Sequence, residues 1–176
     1  MSETKLWNAG GFVADDPWRI EDEDQSTSTI GANARLLVSL ARYLELSEDE
    51  RQPENVGVVV SPADDVRTLE PHLGKLALIA VTFPAFSDGR AYSQASLLRS
   101  RLGYTGELRA TGDVLIDQIP LMQRCGIDTF AVSNATAIKR LTEGRLPAIN
   151  SYYQPAATPA RATGSYAWRQ VPESAA

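Results

Sequence analysis

At 176 residues, 43% of them hydrophobic, the chain is long enough to bury one sizeable core and short for two domains of ordinary size. A formal net charge of -5 leaves no broad basic field, which argues against nucleic acid as a partner, and the longest apolar runs, residues 56–60 and 76–81, fall far short of the roughly 20 residues of a membrane-spanning helix. The single cysteine, Cys125, excludes an internal disulfide and a Cys-rich metal or iron–sulfur site, and the single histidine, His72, leaves little for zinc or haem.

Residues 5–18 read as two short extended pieces around Asn8-Ala9-Gly10-Gly11, a run of turn formers that predicts a hairpin capping or covering a sheet edge. Residues 20–30, with Glu21-Asp22-Glu23-Asp24 followed by hydroxyl residues, are expected to form a mobile acidic loop. From 32 to 46, Leu36, Leu37, Leu40, Ala41 and Leu44 recur at helical spacing and predict a helix. Val56-Gly57-Val58-Val59-Val60 is an unbroken β-branched run of the kind buried on both faces of a parallel sheet.

A short helix over 64–69 and a second buried strand over 76–82 follow. A helix over 89–102 is stopped by Gly103, and a strand is expected over 107–111. Residues 114–124 read as a helix that Pro120 should bend or break. A fourth strand over 128–132 and a helix running from an Asn134 cap to Gly144 complete the pattern. The expected architecture is a single α/β domain: a hairpin (1–19), the acidic loop (20–30), a core (31–153) with a mostly parallel sheet of about four strands built from βαβ units, and a disordered tail (154–176) rich in Pro, Ala, Thr and Ser. An open three-layer sheet and part of a barrel both fit. The beginning, Met1-Ser2-Glu3-Thr4-Lys5, lacks the basic and apolar stretches of a secretory signal, so the cytoplasm is the expected location.

The densest unusual stretch, Phe83-Pro84-Ala85-Phe86-Ser87-Asp88-Gly89-Arg90-Ala91-Tyr92-Ser93, joins the second strand to its helix, at the strand end where parallel sheets bind ligands. Thr111-Gly112-Asp113 arrives at the same edge. If those strands are neighbours, Asp88, Arg90, Tyr92 and Asp113 face one crevice and are the catalytic candidates. Asp88 and Asp113 suit acid–base work or magnesium, yet each also sits where a helix begins, and capping needs no ligand. Arg90 near a helix start suits a small anion or an ion pair with Asp88 or Asp113.

Arg109 points away from Leu108 and Ala110, toward the face of Glu107 and Thr111, where a solvated or salt-bridged strand face competes with anion or partner binding. Arg99, on the polar part of its helix, together with Gln118 and Arg124, completes the anion- or partner-binding candidates, and a plain solvated face is the alternative. Cys125 precedes Gly126 at a helix C-terminus, where the dipole disfavours a thiolate, so a buried structural thiol is expected. No role is assigned to His72. Neither a Rossmann glycine fingerprint nor a Walker loop occurs.

The Phe83–Ser93 stretch, Gly103-Tyr104-Thr105-Gly106-Glu107-Leu108-Arg109-Ala110-Thr111-Gly112-Asp113-Val114-Leu115-Ile116-Asp117-Gln118, and Arg124-Cys125-Gly126-Ile127-Asp128 resemble the bacterial family catalogued as domain of unknown function 934. The opening, with Gly10, Asp15, Asp16 and Trp18, is similar to that family's beginning. The resemblance implies involvement in sulfite reduction: members are described as proteins of that process, often as oxidoreductases, and their genes accompany that of the assimilatory sulfite reductase catalytic subunit. It implies an accessory protein with no cofactor of its own, whose partner, that catalytic subunit, carries the sirohaem and iron–sulfur cluster. A small-ligand α/β enzyme with its site at the C-terminal strand ends is the alternative.

Overall fold

The computed structural model describes residues 4–21, 35–51 and 54–147. They form one mixed α/β domain around an eight-stranded sheet of order β2-β1-β8-β7-β6-β5-β4-β3. The strands are β1 (Lys5–Asn8), β2 (Gly11–Phe12), β3 (Trp18–Ile20), β4 (Arg35–Ser39), β5 (Val56–Val60), β6 (Leu78–Phe83), β7 (Glu107–Gly112) and β8 (Thr129–Val132). The helices are α1 (Leu40–Glu45), α2 (Arg90–Ser100), α3 (Ile119–Arg124) and α4 (Ala135–Thr142), with a 3-10 segment at Val66–Lys75.

The sheet holds more strands than the four expected. β3 to β8 run parallel, and the β1/β2 hairpin, turned where Gly10 donates to the Asn8 side chain, adds antiparallel to β8. β3 reaches Ile20, and Glu21 donates to the Leu37 carbonyl; residues 22–30 and the tail from 154 lie outside the described residues.

The helix expected over 32–46 is corrected: residues 35–39 are a strand, and only 40–45 are helical. Leu37 and Val38 are buried on opposite faces of the sheet, an alternation that the coincident helical spacing of Leu36, Leu40 and Leu44 concealed. The helix expected over 114–124 begins instead at Ile119. Pro120 therefore stands in the first turn, where a missing amide costs nothing, and it neither bends nor breaks the helix.

From β4 to β8 each crossover moves one strand in the same direction, and crossovers of one hand place all the connecting helices on one face. The core follows this division. Val58, Val60, Ile79, Val81, Leu108, Ala110, Phe130 and Val132 join the helices' Ala91, Ala95, Leu98, Ile119, Met122, Ala137 and Leu141 in one cluster. Trp18, Leu37, Leu78 and Ala80 form a second cluster on the other face. A three-layer sandwich is thereby excluded.

Closure of that second face follows from chain length. β2 and β3 lie at opposite ends of the strand order, separated by seven strand spacings of about 4.8 Å, or roughly 34 Å across a flat sheet. Residues 13–17 span at most about 22 Å from Phe12 to Trp18. The sheet must curl until its edges approach, and residues 13–17 then cross its concave side as a strap.

Two contacts hold the strap. Asp16 Oδ2 accepts from Arg109 Nη1 at 2.7 Å, and Trp18 packs over Gly57, where an added Cβ would lie 2.9 Å from the Leu78 carbonyl and 3.1 Å from the indole. Arg109 is only 2% exposed. Its Nε and Nη2 both donate to Glu107 Oε1, at 3.1 and 2.8 Å, and Thr129 Oγ1 donates to the same oxygen at 2.6 Å. Asp16→Ala is expected to lower stability by about 2–3 kcal/mol, because it leaves a buried guanidinium short of a partner. Urea denaturation checks this, and an unchanged midpoint would show that the strap is not anchored there.

Candidate functional site

The parallel strands deliver their C-terminal ends to one rim, where β6 is hydrogen-bonded to β7 over its full length, Phe83 opposite Gly112. The neighbourhood required for a shared crevice therefore exists. Asp113 N–H donates to the Phe83 carbonyl at 2.7 Å, and Gly112, at φ +87°, makes this approach with a Cβ-free Cα because any side chain there would strike the Phe83 backbone. Loops 84–89 and 113–118 thus leave the rim side by side, and the Gln118 amide reaches the Phe86 carbonyl at 3.5 Å.

Within loop 84–89, Asp88 N–H closes a turn onto the Ala85 carbonyl at 3.0 Å. The Asp88 carboxylate accepts the Arg90 backbone N–H at 3.2 Å and grips the Arg90 guanidinium in a two-pronged pair, 3.0 Å to Nε and 2.7 Å to Nη2. These bonds hold the Asp88 carboxyl below the usual carboxylate range and the Arg90 guanidinium above its ordinary value. Asp88 therefore does the work of a cap at the start of α2, where the preceding Gly89 has no side chain to offer. Loop 84–89 also presents the Phe86 ring, 63% exposed, to solvent.

Tyr92 turns to the helix side of the sheet, its ring edge-on to Phe83 with centroids 4.9 Å apart. Burial, with Cys125 and Asp117 nearby, pushes its hydroxyl up to about 12. Asp113 is held through its backbone and begins a turn rather than a helix. The four catalytic candidates thus share a rim without converging: Asp88 and Arg90 satisfy each other, Tyr92 packs toward the core, and no bond joins Asp113 to them.

The anion- or partner-binding candidates are placed differently from one another. Arg109 lies under the strap, as described. Arg99 is neither a solvated nor a partner-facing residue. Its Nε donates to the Gly126 carbonyl at 2.8 Å, its Nη1 to the Tyr104 and Gly106 carbonyls at 2.7 and 2.8 Å, and its Nη2 to Asp128. Its guanidinium also lies 5.3 Å from the centre of the Tyr104 ring. Gly126, at φ +92°, leaves room for the Arg99 stem. Gln118 bridges the two rim loops, with its side-chain oxygen buried and unpartnered. Arg124 closes α3, half-buried. Cys125 is half-buried at the α3 C-cap, and His72 packs edge-on to Tyr43. Among the described residues no three His, Cys, Asp or Glu side chains group to hold a metal ion, and no helix is long and apolar enough to cross a membrane.

Phe86 lies within the Phe83–Ser93 stretch but is not among the residues expected to form the site; an aromatic between Pro84 and Asp88 in a turn-rich loop is the signal for it. Asp16 and Thr129 are likewise not among the partners expected for Arg109. Arg99→Lys is expected to cost about 2–3 kcal/mol, because an ammonium cannot span four acceptors arranged for a planar fork. Thermal or urea unfolding reads the loss, and full retention of stability would dismiss the clamp. Alkaline behaviour gives a second check. Burial raises the hydroxyls of Tyr43, Tyr92 and Tyr104 above their ordinary value, so their stabilising contribution is complete below pH 10 and falls as pH rises above it, for Tyr92 through about 12. Urea melts at pH 9 and 11.5 should show the drop, and Tyr92→Phe should reduce it.

Residues 57–163, more than half of the chain, match the family described as bacterial protein of unknown function (DUF934). The match takes in the whole motif block from Phe83 to Asp128 and reaches past 154, while the opening hairpin and strap precede it. No curated protein matches the chain at a significant level. With the rim loops, the Arg99 clamp and Arg109 all inside the matched region, the chain belongs to this bacterial DUF934 family.

Proposed function

We propose that this protein is a cytoplasmic accessory protein of assimilatory sulfite reduction, which docks on the sulfite reductase catalytic subunit and supports reduction of sulfite to sulfide there, with sirohaem and the iron–sulfur cluster on the partner. The observation that carries the reading is the construction of loop 84–89. Bonds to the carbonyls of Ala85, Phe86 and Phe83 and the Asp88–Arg90 pair brace the loop, and what it offers to solvent is the Phe86 residue, 63% exposed, and the Arg90 side chain, 61% exposed. A rigid loop presenting Phe and Arg is suited to protein recognition, since those residue types dominate interface hot spots and little ordering cost remains on binding. Family membership and the sulfite-linked resemblance of the same motif supply the partner.

The enzyme alternative asks Asp88, Arg90, Tyr92 and Asp113 to act on one ligand, and their existing engagements favour the docking reading over it. The decisive experiment measures sulfite reduction by the purified catalytic subunit, with a matched electron donor, in the presence and absence of this protein, alongside a pull-down. Stimulation and capture are expected. Phe86→Ser should weaken capture at least tenfold while leaving the unfolding free energy within about 0.5 kcal/mol of the parent, as for an exposed position. Absence of both capture and stimulation by the parent protein would reject the accessory role.

A further inference from the structure

α4 buries Ala137 and Leu141 against the core and turns its other side outward. Along that side runs an open groove of about 490 Å³ lined by Ala135, Thr136, Lys139, Arg140, Glu143 and Arg145. Glu143 is paired with Arg145 at 3.3 Å, while Lys139 and Arg140 enter none of the ion pairs among the described residues. The lining thus sets three cations against one carboxylate in a chain of net charge -5.

Cations in the last helical turn offset the helix dipole, and this explains Lys139 and Arg140 in part. It does not explain Arg145, which lies beyond the helix. Gly144, at φ +66°, reverses the chain, and the Arg145 N–H donates to the Arg140 carbonyl at 2.8 Å, so the fold carries a third cation back to the same end. Exposed Lys5 of β1 is in register with Val132, two residues before the Asn134 cap of α4.

We infer that the α4 groove is a docking surface for an acidic face of a protein partner. The inference rests on the accessory reading and specifies a second surface through which the catalytic subunit is met. The cations are strung along an open helix side, which suits a run of carboxylates on a protein. A small anion requires donors converging on one point, and a nucleic acid requires far more positive charge than this chain carries.

Two variants test it: Lys139→Gln with Arg140→Gln, which removes the charge, and Thr136→Glu, which adds an opposing charge in the first helical turn, where a carboxylate favours the helix. Binding of the purified catalytic subunit is measured by calorimetry at 50 and 300 mM NaCl. The parent should bind and weaken with salt; each variant should bind about tenfold more weakly at 50 mM and show a flatter salt dependence. Variants that bind as the parent does would overturn the groove and leave the accessory role standing. A parent that does not bind would overturn both. Salt-sensitive self-association of the parent that Thr136→Glu abolishes would assign the groove to a second copy, and binding of free sulfite that both variants lose would assign it to a small anion; either result overturns the inference.

Discussion

The short connection between β2 and β3 is the constraint from which the rest of this structure follows. Five residues cannot reach across an extended eight-stranded sheet, so the sheet curls, and a curled sheet has an inside. The helices lie outside because the crossovers share one hand, and the strap is left as the cover of the concave face. Arg109 is the post to which it is tied. Its guanidinium needs both Glu107 and Asp16 because it is almost wholly removed from water, and a charge so placed is tolerated only when paired and hydrogen-bonded.

The same economy of arginine governs the helix side. Arg99 reaches from α2 to collect carbonyls before β7 and in the turn before β8, joining two consecutive crossover units through one planar group. With Arg99 and Arg109 committed to architecture, neither is left to meet a partner, whereas Arg90 at the rim and Lys139 and Arg140 on α4 face solvent. The motif block that identifies the family therefore mixes two kinds of residue: those that hold the strands and turns in place, and the few, Phe86 and Arg90 foremost, that the held frame presents.

Much of this frame was legible in the sequence. Asn8-Ala9-Gly10-Gly11 announced its hairpin through turn chemistry, and Val56–Val60 announced a buried parallel strand through unbroken β-branching. β4 was not legible, because Leu36, Leu37, Leu40 and Leu44 satisfy a helical period by accident and only sheet neighbours decide the matter. The alternation that sends Arg109 to the face of Glu107 could be read; Asp16, 93 residues away, could not. Arg99 was harder still, since three of its acceptors are main-chain carbonyls, which leave no trace in residue identity. At the rim, the condition set for a shared crevice, that β6 and β7 are neighbours, holds, but side-chain direction and mutual satisfaction are settled by packing.

The pairing of β1 with β8 joins the first strand of the described residues to the last, Lys5 lying opposite Val132. Of the strand pairings among the described residues this one closes the longest loop, so it is among the most expensive to form in chain entropy and belongs late in folding. On the ribosome, β1 emerges before β8 and waits for its partner until the parallel strands have been made. Until then β8's site beside β7 is vacant and the strap has no second edge to meet. The hairpin is thus a seal on a finished sheet rather than a seed for it.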